Sequence, residues 1–415
     1  MENAMPYWHS AWEFMLRVKP QLPTTNVILI ISMLAMMWYR YRSGGANSSR
    51  ATRRLTVVAE DDFPPIKPLD NFKWETTEPI RLRPFKPKYN LTMALETLEP
   101  SELIPIDKEY KYRISERRKV LKEHHDIVVG IHSQPGSLDG DTREIPLAHD
   151  AICELYEFVM GIYLPNRYPT MFKLLEAKYE SCKVFMLQNK VTGEVLPASV
   201  SPGRPLVNAL ETLAKTIDED MLILLPAEFE KKLEKNKSDG LRERSKGKGN
   251  DPVTVPSKGE NGDVKYLLQA YVTCFPSGFN TREKLGKPLN GIHEPVPGYK
   301  EKLERSMDRY FEKLEVGKFV KRVNWGITTG AELFYAFGDI HSAKIEKLKP
   351  LRLEQLDLDD ANILTLYPIR QLKEEGCGED LAAAIEGLEN GNVPLMARYK
   401  RVPVWGEAVK EYLRG

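Results

Sequence analysis

His293 is the residue through which this sequence most readily reads as chemistry. It stands in Gly291-Ile292-His293-Glu294-Pro295-Val296-Pro297-Gly298, with a proline on each side of Val296. Proline fixes φ and donates no backbone hydrogen bond, so an imidazole in this frame is held at a set angle. Two readings follow. As a structural residue, His293 would bond its neighbours and pack against Ile292. As a ligand, it would offer one neutral ring nitrogen to a metal while the other donates to a nearby acceptor. No second histidine, cysteine or acid stands close by at zinc-like spacing, which argues against a metal held by protein ligands alone. One histidine suffices if the metal arrives with four nitrogens already, as in heme.

A heme would also need cations for its propionates. Lys284 and Lys287 precede His293 and Arg322 follows it, although lysines at such positions are commonly just solvated faces. Asn324 and Trp325 close the block. They read either as core packing or as a stacking surface and hydrogen-bond donor for a substrate. His341 ranks well below His293 as a ligand, and His124-His125 sits in a charged, solvated stretch. The acids Asp218, Glu219 and Asp220 could do acid–base work, but the plainer reading is the solvated end of a core segment.

These side chains need elements to hold them. Turn-formers at 275–278 open the block, an amphipathic helix follows Gly298, and a strand pattern at 264–274 leads into it. Helical patterns occupy 107–125, 149–175, part of 206–226, 380–388 and 407–413. Strand patterns occupy 183–189 and 363–367. Helices and strands mix without a strict βαβ alternation, which predicts an α+β fold with a mainly antiparallel sheet.

Composition excludes more than it selects. With 60 Lys and Arg against 59 Asp and Glu, a net charge of +1 makes no electrostatic case for nucleic acid. Four cysteines lie far apart with no C-x-x-C pair, which disfavours a disulfide framework or structural zinc. Dinucleotide, Walker and G-x-S-x-G motifs are absent. Residues 20–39 carry no charge, and the basic run Arg40, Arg42, Arg50, Arg53, Arg54 follows. That pattern predicts a transmembrane signal anchor over 20–41, behind a short tail at 1–19. A linker would follow at 42–75 and the main domain at 76–415, with a disordered insertion at 230–262. The positive-inside rule then turns the main domain to the cytosol, with the endoplasmic reticulum as the expected membrane.

Four motifs add a resemblance. The runs FKPKYNLTMALETLEPSELIPIDKEYKYRISERR, ELYEFVMGIYLPNRYP, CFPSGFNTREKLGKPLNGIHEPVPGY and RVNW resemble the heme-dependent oxidative N-demethylase alpha-subunit-like family, whose fungal members form the HRQ family. The likeness covers roughly 76–415, apart from the insertion. It implies a PAS-like fold holding heme b. It also implies O2-dependent removal of a methyl group from a small amine, with electrons from separate flavin and iron–sulfur proteins. His293 falls on the family's I-H-x-P-V-P histidine and is expected as the axial ligand. One motif departs. Where the family has L-R-x-E-R-Q-T-L, this chain has Gln355-Leu356 in place of the Arg-Gln pair. The expectation is a membrane-anchored heme oxidoreductase acting on a small amine or a secondary metabolite. A non-catalytic heme-binding sensor or a tethered scaffold is the alternative.

Overall fold

In the computed structural model, residues 63–81, 85–134, 143–144, 146–179, 182–200, 204–227, 264–276, 278–328, 333–334, 350–355, 362–363 and 367–415 are described. The chain forms two compact units, Met1–Val57 with Lys178–Lys183, and Val58–Ala177 with Val184–Gly415. The second unit carries every site residue discussed below.

Helix α1 (Tyr110–Glu123) shows how the first core is built. Its buried residues are Tyr110, Ile114, Arg117, Val120 and Leu121, one face of a 3.6-residue repeat. An arginine at a core position of that repeat is the exception that matters later. Helix α2 (Pro146–Glu157) runs through a widened π turn at Phe158–Tyr163. Helix α3 (Val207–Thr216) buries Ala209, Leu210, Leu213 and Ala214 in the same core. Phe63, Ile66, Leu69, Phe72 and Trp74, all within 42–75, pack against it as well.

Strand β1 (Val129–Ile131) pairs antiparallel with β6 (Tyr266–Val272), which pairs antiparallel with β5 (Met221–Pro226). Strand β6 is paired along both edges, and its last five residues are also covered on both faces. Leu268, Gln269, Ala270, Tyr271 and Val272 are all buried. A second sheet takes β2 (Phe172–Tyr179), β3 (Cys182–Asn189) and β4 (Val195–Pro197) in that order. The apolar run at 221–225, which follows a helical pattern, is thus a strand.

The second core is mostly helical. It joins helix α4 (Leu289–Ile292), helix α5 (Glu304–Glu312), helix α6 (Gly378–Glu389) and helix α7 (Val402–Arg414) through Leu289, Met307, Ile385, Leu388, Trp405 and Val409.

The expected α+β class with antiparallel sheets is found, and two details of the expectation change. Among the described residues the strands form separate two- and three-stranded sheets, not one broad PAS-type sheet. The transmembrane helix is also corrected: no helix among the described residues is long and apolar enough to cross a membrane. Residues 20–41 themselves lie outside the described residues, as do 1–19 and 230–262. Helix α1, with 14 residues, reaches about 21 Å against about 30 Å of hydrocarbon, and the longer helical run that continues from α2 through the π turn carries Asp150, Glu154 and Glu157.

Candidate functional site

His293 closes helix α4 as its C-terminal cap, with φ −97° and ψ 9°. The stretch before it is tied to the central strand. Gly286 N–H donates to the Leu268 carbonyl at 2.8 Å, Leu268 N–H donates to the Lys287 carbonyl at 3.1 Å, and Pro288 bridges Leu267. Gly286 adopts φ +75° against the His132 ring, where a Cβ would stand 2.9 Å from Nε2. Behind His293, Gly298 turns the chain at φ +73°, and a Cβ there would meet Val393 at 3.0 Å. Only glycine accepts both the left-handed backbone and that closeness without strain. The proline frame is therefore pinned on both sides.

The imidazole itself is oriented. Its Nδ1 lies 2.8 Å from the Leu289 carbonyl oxygen. A carbonyl only accepts, so Nδ1 carries the proton and donates, and Nε2 is left with its lone pair. The Tyr299 ring stacks on the imidazole at 4.8 Å between centroids and 6° between planes. Tyr299 is held in turn by its hydroxyl, 3.6 Å from Met307 Sδ. Burial pushes the His293 pKa below its ordinary value. Arg322 and Lys284 push the same way, and the Leu289 carbonyl opposes them. The ring is thus neutral near pH 7.

Of the cations expected around it, Lys284 and Arg322 act on the ring. Lys287 is exposed. Arg322 is exposed, with Nη2 3.5 Å from the Thr92 carbonyl. Asn324 and Trp325 are brought together by a residue that reading the sequence passed over, Lys400. Its Nζ donates to Asn324 Oδ1 at 2.9 Å and to the Trp325 carbonyl. The same ammonium lies over the Trp325 ring at 5.3 Å and the Tyr89 ring at 5.9 Å. Trp325 also meets Phe85 edge-on at 6.3 Å. Lys400 is buried at 9% exposure, and burial with the Arg322 charge lowers its pKa to about 8. It sits between the patterned helix α7 and the preceding short helix, where a single lysine carries no local signal.

The acid trio is also corrected, because it is not a solvated end. Arg117, fully buried, donates from Nη1 to Asp220 Oδ1 at 2.5 Å, from Nη2 to the Glu219 carbonyl at 2.9 Å and from Nε to the Ala214 carbonyl at 3.1 Å. The Asp220 carboxylate accepts the backbone N–H groups of Cys274 and Phe275 at 2.8 and 3.0 Å. Arg113 bonds Asp218 at 2.8 Å. Glu219, desolvated beside two carboxylates, has its pKa pushed up to about 7. The block at 274–325 is thus fastened at its start by Arg117 and Asp220 and at its end by Lys400.

Other sequence candidates fall elsewhere. His124 stacks on Phe334 at 4.3 Å, and His125 pairs with Glu211 at 2.8 Å. His341 and Leu356 lie outside the described residues. Gln355 ends a short 3-10 turn, Leu353–Gln355, near helix α7, to which Leu351 N–H donates at the Val404 carbonyl, 2.7 Å. A cleft of about 370 Å³ on the first core is lined by Phe72, Trp74, Lys111, Met171 and Lys190, none of them a predicted site residue.

One neutral imidazole with a free nitrogen, flanked by cations, is a donor set for a metal that brings its own macrocycle and anionic side arms. Such a donor set suits heme. Fold and site together define an α+β protein with a single oriented imidazole in a cationic setting. The profile of the family described as haem-dependent oxidative N-demethylase, alpha subunit-like, matches residues 94–410, and the chain belongs to that family. No curated protein matches the chain.

Proposed function

We propose that this protein is a heme b-dependent oxidoreductase that uses O2 to remove a methyl group from a small amine, or from a secondary metabolite carrying one. The His293 geometry carries the proposal, with Nδ1–H committed to the Leu289 carbonyl and Nε2 left as a lone-pair donor. Heme, when bound, supplies the oxygen and redox chemistry. The net reaction turns an N–CH3 group, O2, two electrons and two protons into N–H, formaldehyde and water. The chain has no flavin or iron–sulfur motif, so both electrons come from a separate flavin or iron–sulfur protein.

The chain's own groups do the holding. Leu289 fixes the tautomer and angle of His293, and Tyr299 keeps the ring from tilting. Burial keeps the imidazole neutral and so competent as a ligand. Lys284 and Arg322 offer charge to the propionates. Lys400 holds Asn324 and Trp325 in place as a wall for the substrate.

The absorption spectrum of the heme-reconstituted protein tests the ligand. His293→Ala should shift and weaken the Soret band, and added imidazole should restore it. An unchanged band in His293→Ala removes the assignment. Consumption of O2 with formaldehyde release, given a chemical reductant and candidate amines, tests the reaction. Heme binding without product would favour a sensor.

A further inference from the structure

The segment between helix α5 and the Arg322–Trp325 exit is unusual in what it leaves in water. Among the described residues, eleven large apolar side chains are exposed, and Leu314, Val316, Val320 and Val323 are four of them. Four within ten residues is a cluster along the chain, and clustered exposed apolar side chains mark an interaction site more often than scattered ones do. Val316 is 100% exposed. Gly317, beside it, turns at φ +80° with nothing within 4 Å of its Cβ position, so the turn projects away from the body.

Charge says what the projection meets. Arg305, Arg309 and Lys313 are exposed at i, i+4 and i+8 along helix α5 and its continuation, which places them on one face leading to the tip. Lys318, Lys321 and Arg322 flank the apolar residues on the other side. The exposed acids beside these six cations are Glu301, one turn before Arg305, and Glu312, Glu315 and Glu96. Lys318 pairs with Glu315 at 2.7 Å and Lys321 with Glu96 at 3.8 Å. Both pairs are solvent-exposed, so both lysines can exchange their partner for a stronger anion at little cost.

We propose that the tip at 314–323, backed by the basic face of helix α5, docks on an anionic lipid surface. Apolar side chains on a narrow projecting turn enter the headgroup boundary, and the surrounding lysines and arginines stay at the level of the phosphates. A protein partner fits this shape less well. A stable protein interface needs about 800 Å² per partner with a packed centre, and a projecting turn with one side chain wholly in solvent offers no such centre. The proposal stands on the tip alone and does not depend on heme.

The full chain carrying Val316→Trp tests it, with the unmodified protein and its six tryptophans as the reference. The probes are vesicles of phosphatidylcholine, with and without one-fifth phosphatidylserine, bearing brominated acyl chains. The added emission should be quenched on the anionic vesicles. Tip insertion should weaken about tenfold on neutral vesicles or at high salt. Lys318→Glu with Lys321→Glu should weaken it several-fold while thermal unfolding is unchanged. If the added tryptophan is not quenched, the proposal is wrong, even when the chain sediments with vesicles, because another segment then carries the binding. Equal quenching on neutral and anionic vesicles also overturns it. So does a tryptophan that ignores vesicles and responds to an acidic protein.

Discussion

Arg117 in the first core and Lys400 in the second are both cations withdrawn from water, and each fastens one end of the block that carries His293. Their surroundings treat that burial differently. Around Arg117, burial works against the charge, but Asp220 at 2.5 Å, together with Cys274 and Asp218, outweighs it and the pKa ends above its ordinary value. Around Lys400 the partners are an amide oxygen, a carbonyl and two aromatic faces, with Arg322 repelling it, and its pKa falls to about 8. A carboxylate compensates a buried charge fully enough to make it permanent. Dipoles and π faces compensate it only in part. The first region is therefore a fixed joint, and the second is one whose charge depends on conditions.

The largest expected effect tests the fixed joint. Arg117→Met should cost about 3–5 kcal/mol in urea unfolding, because it removes the cation paired with the part-buried Asp220 carboxylate and leaves it two backbone N–H donors. Lys400→Met, which strands only neutral acceptors and removes an uncompensated charge, should change stability by about 1 kcal/mol at pH 7. Equal losses from the two would break the comparison.

A pH series tests the conditional joint. The folded pKa of Lys400 is about 8, below its unfolded value, so between the two the unfolded state binds more protons. Lys400 thus costs stability below pH 8, and the cost is lifted as pH rises from 8 towards 10.5. The difference between wild type and Lys400→Met should shift by about 3 kcal/mol across that window. A flat difference would mean that the ammonium is effectively solvated.

Glu219 sharpens the contrast inside the first region, where one carboxyl lacks the partner that Asp220 has. Its folded pKa of about 7 exceeds the unfolded 4.5, so its contribution falls as pH rises through that interval. Glu219→Gln should raise the melting temperature at pH 8 and leave it nearly unchanged at pH 4.5. Gly298→Ala should cost about 1–2 kcal/mol from the left-handed backbone alone and loosen the His293 frame. The smallest effect concerns His293. Its folded pKa is depressed, so its share of stability is present above pH 6.5 and lost as pH falls through the folded value. His293→Gln should flatten that acid limb.

Much of the fold was legible because it follows local periodicity. The charged, helical composition of 107–125 became helix α1, the runs at 264–274 and 183–189 became strands, and the terminal helix expected at 407–413 became part of helix α7. The run at 221–225 misled because a short apolar run looks alike in a strand and a buried helix, and pairing with β6 decided it. The anchor over 20–41 was drawn from hydropathy, and no described helix supports a membrane span.

For the site, the sequence by itself determined the proline frame of His293, the glycine that ends it, and the cations to either side. Those are properties of neighbours along the chain, set by φ restrictions and side-chain type. Only the tertiary structure decided which ring nitrogen is free, that Lys284 and Arg322 act on the ring, and that Lys400 closes the block. The physical reason is separation along the chain. Arg117 meets Asp220 across 103 residues and Lys400 meets Asn324 across 76, and no local pattern encodes a contact that exists only once two cores have packed.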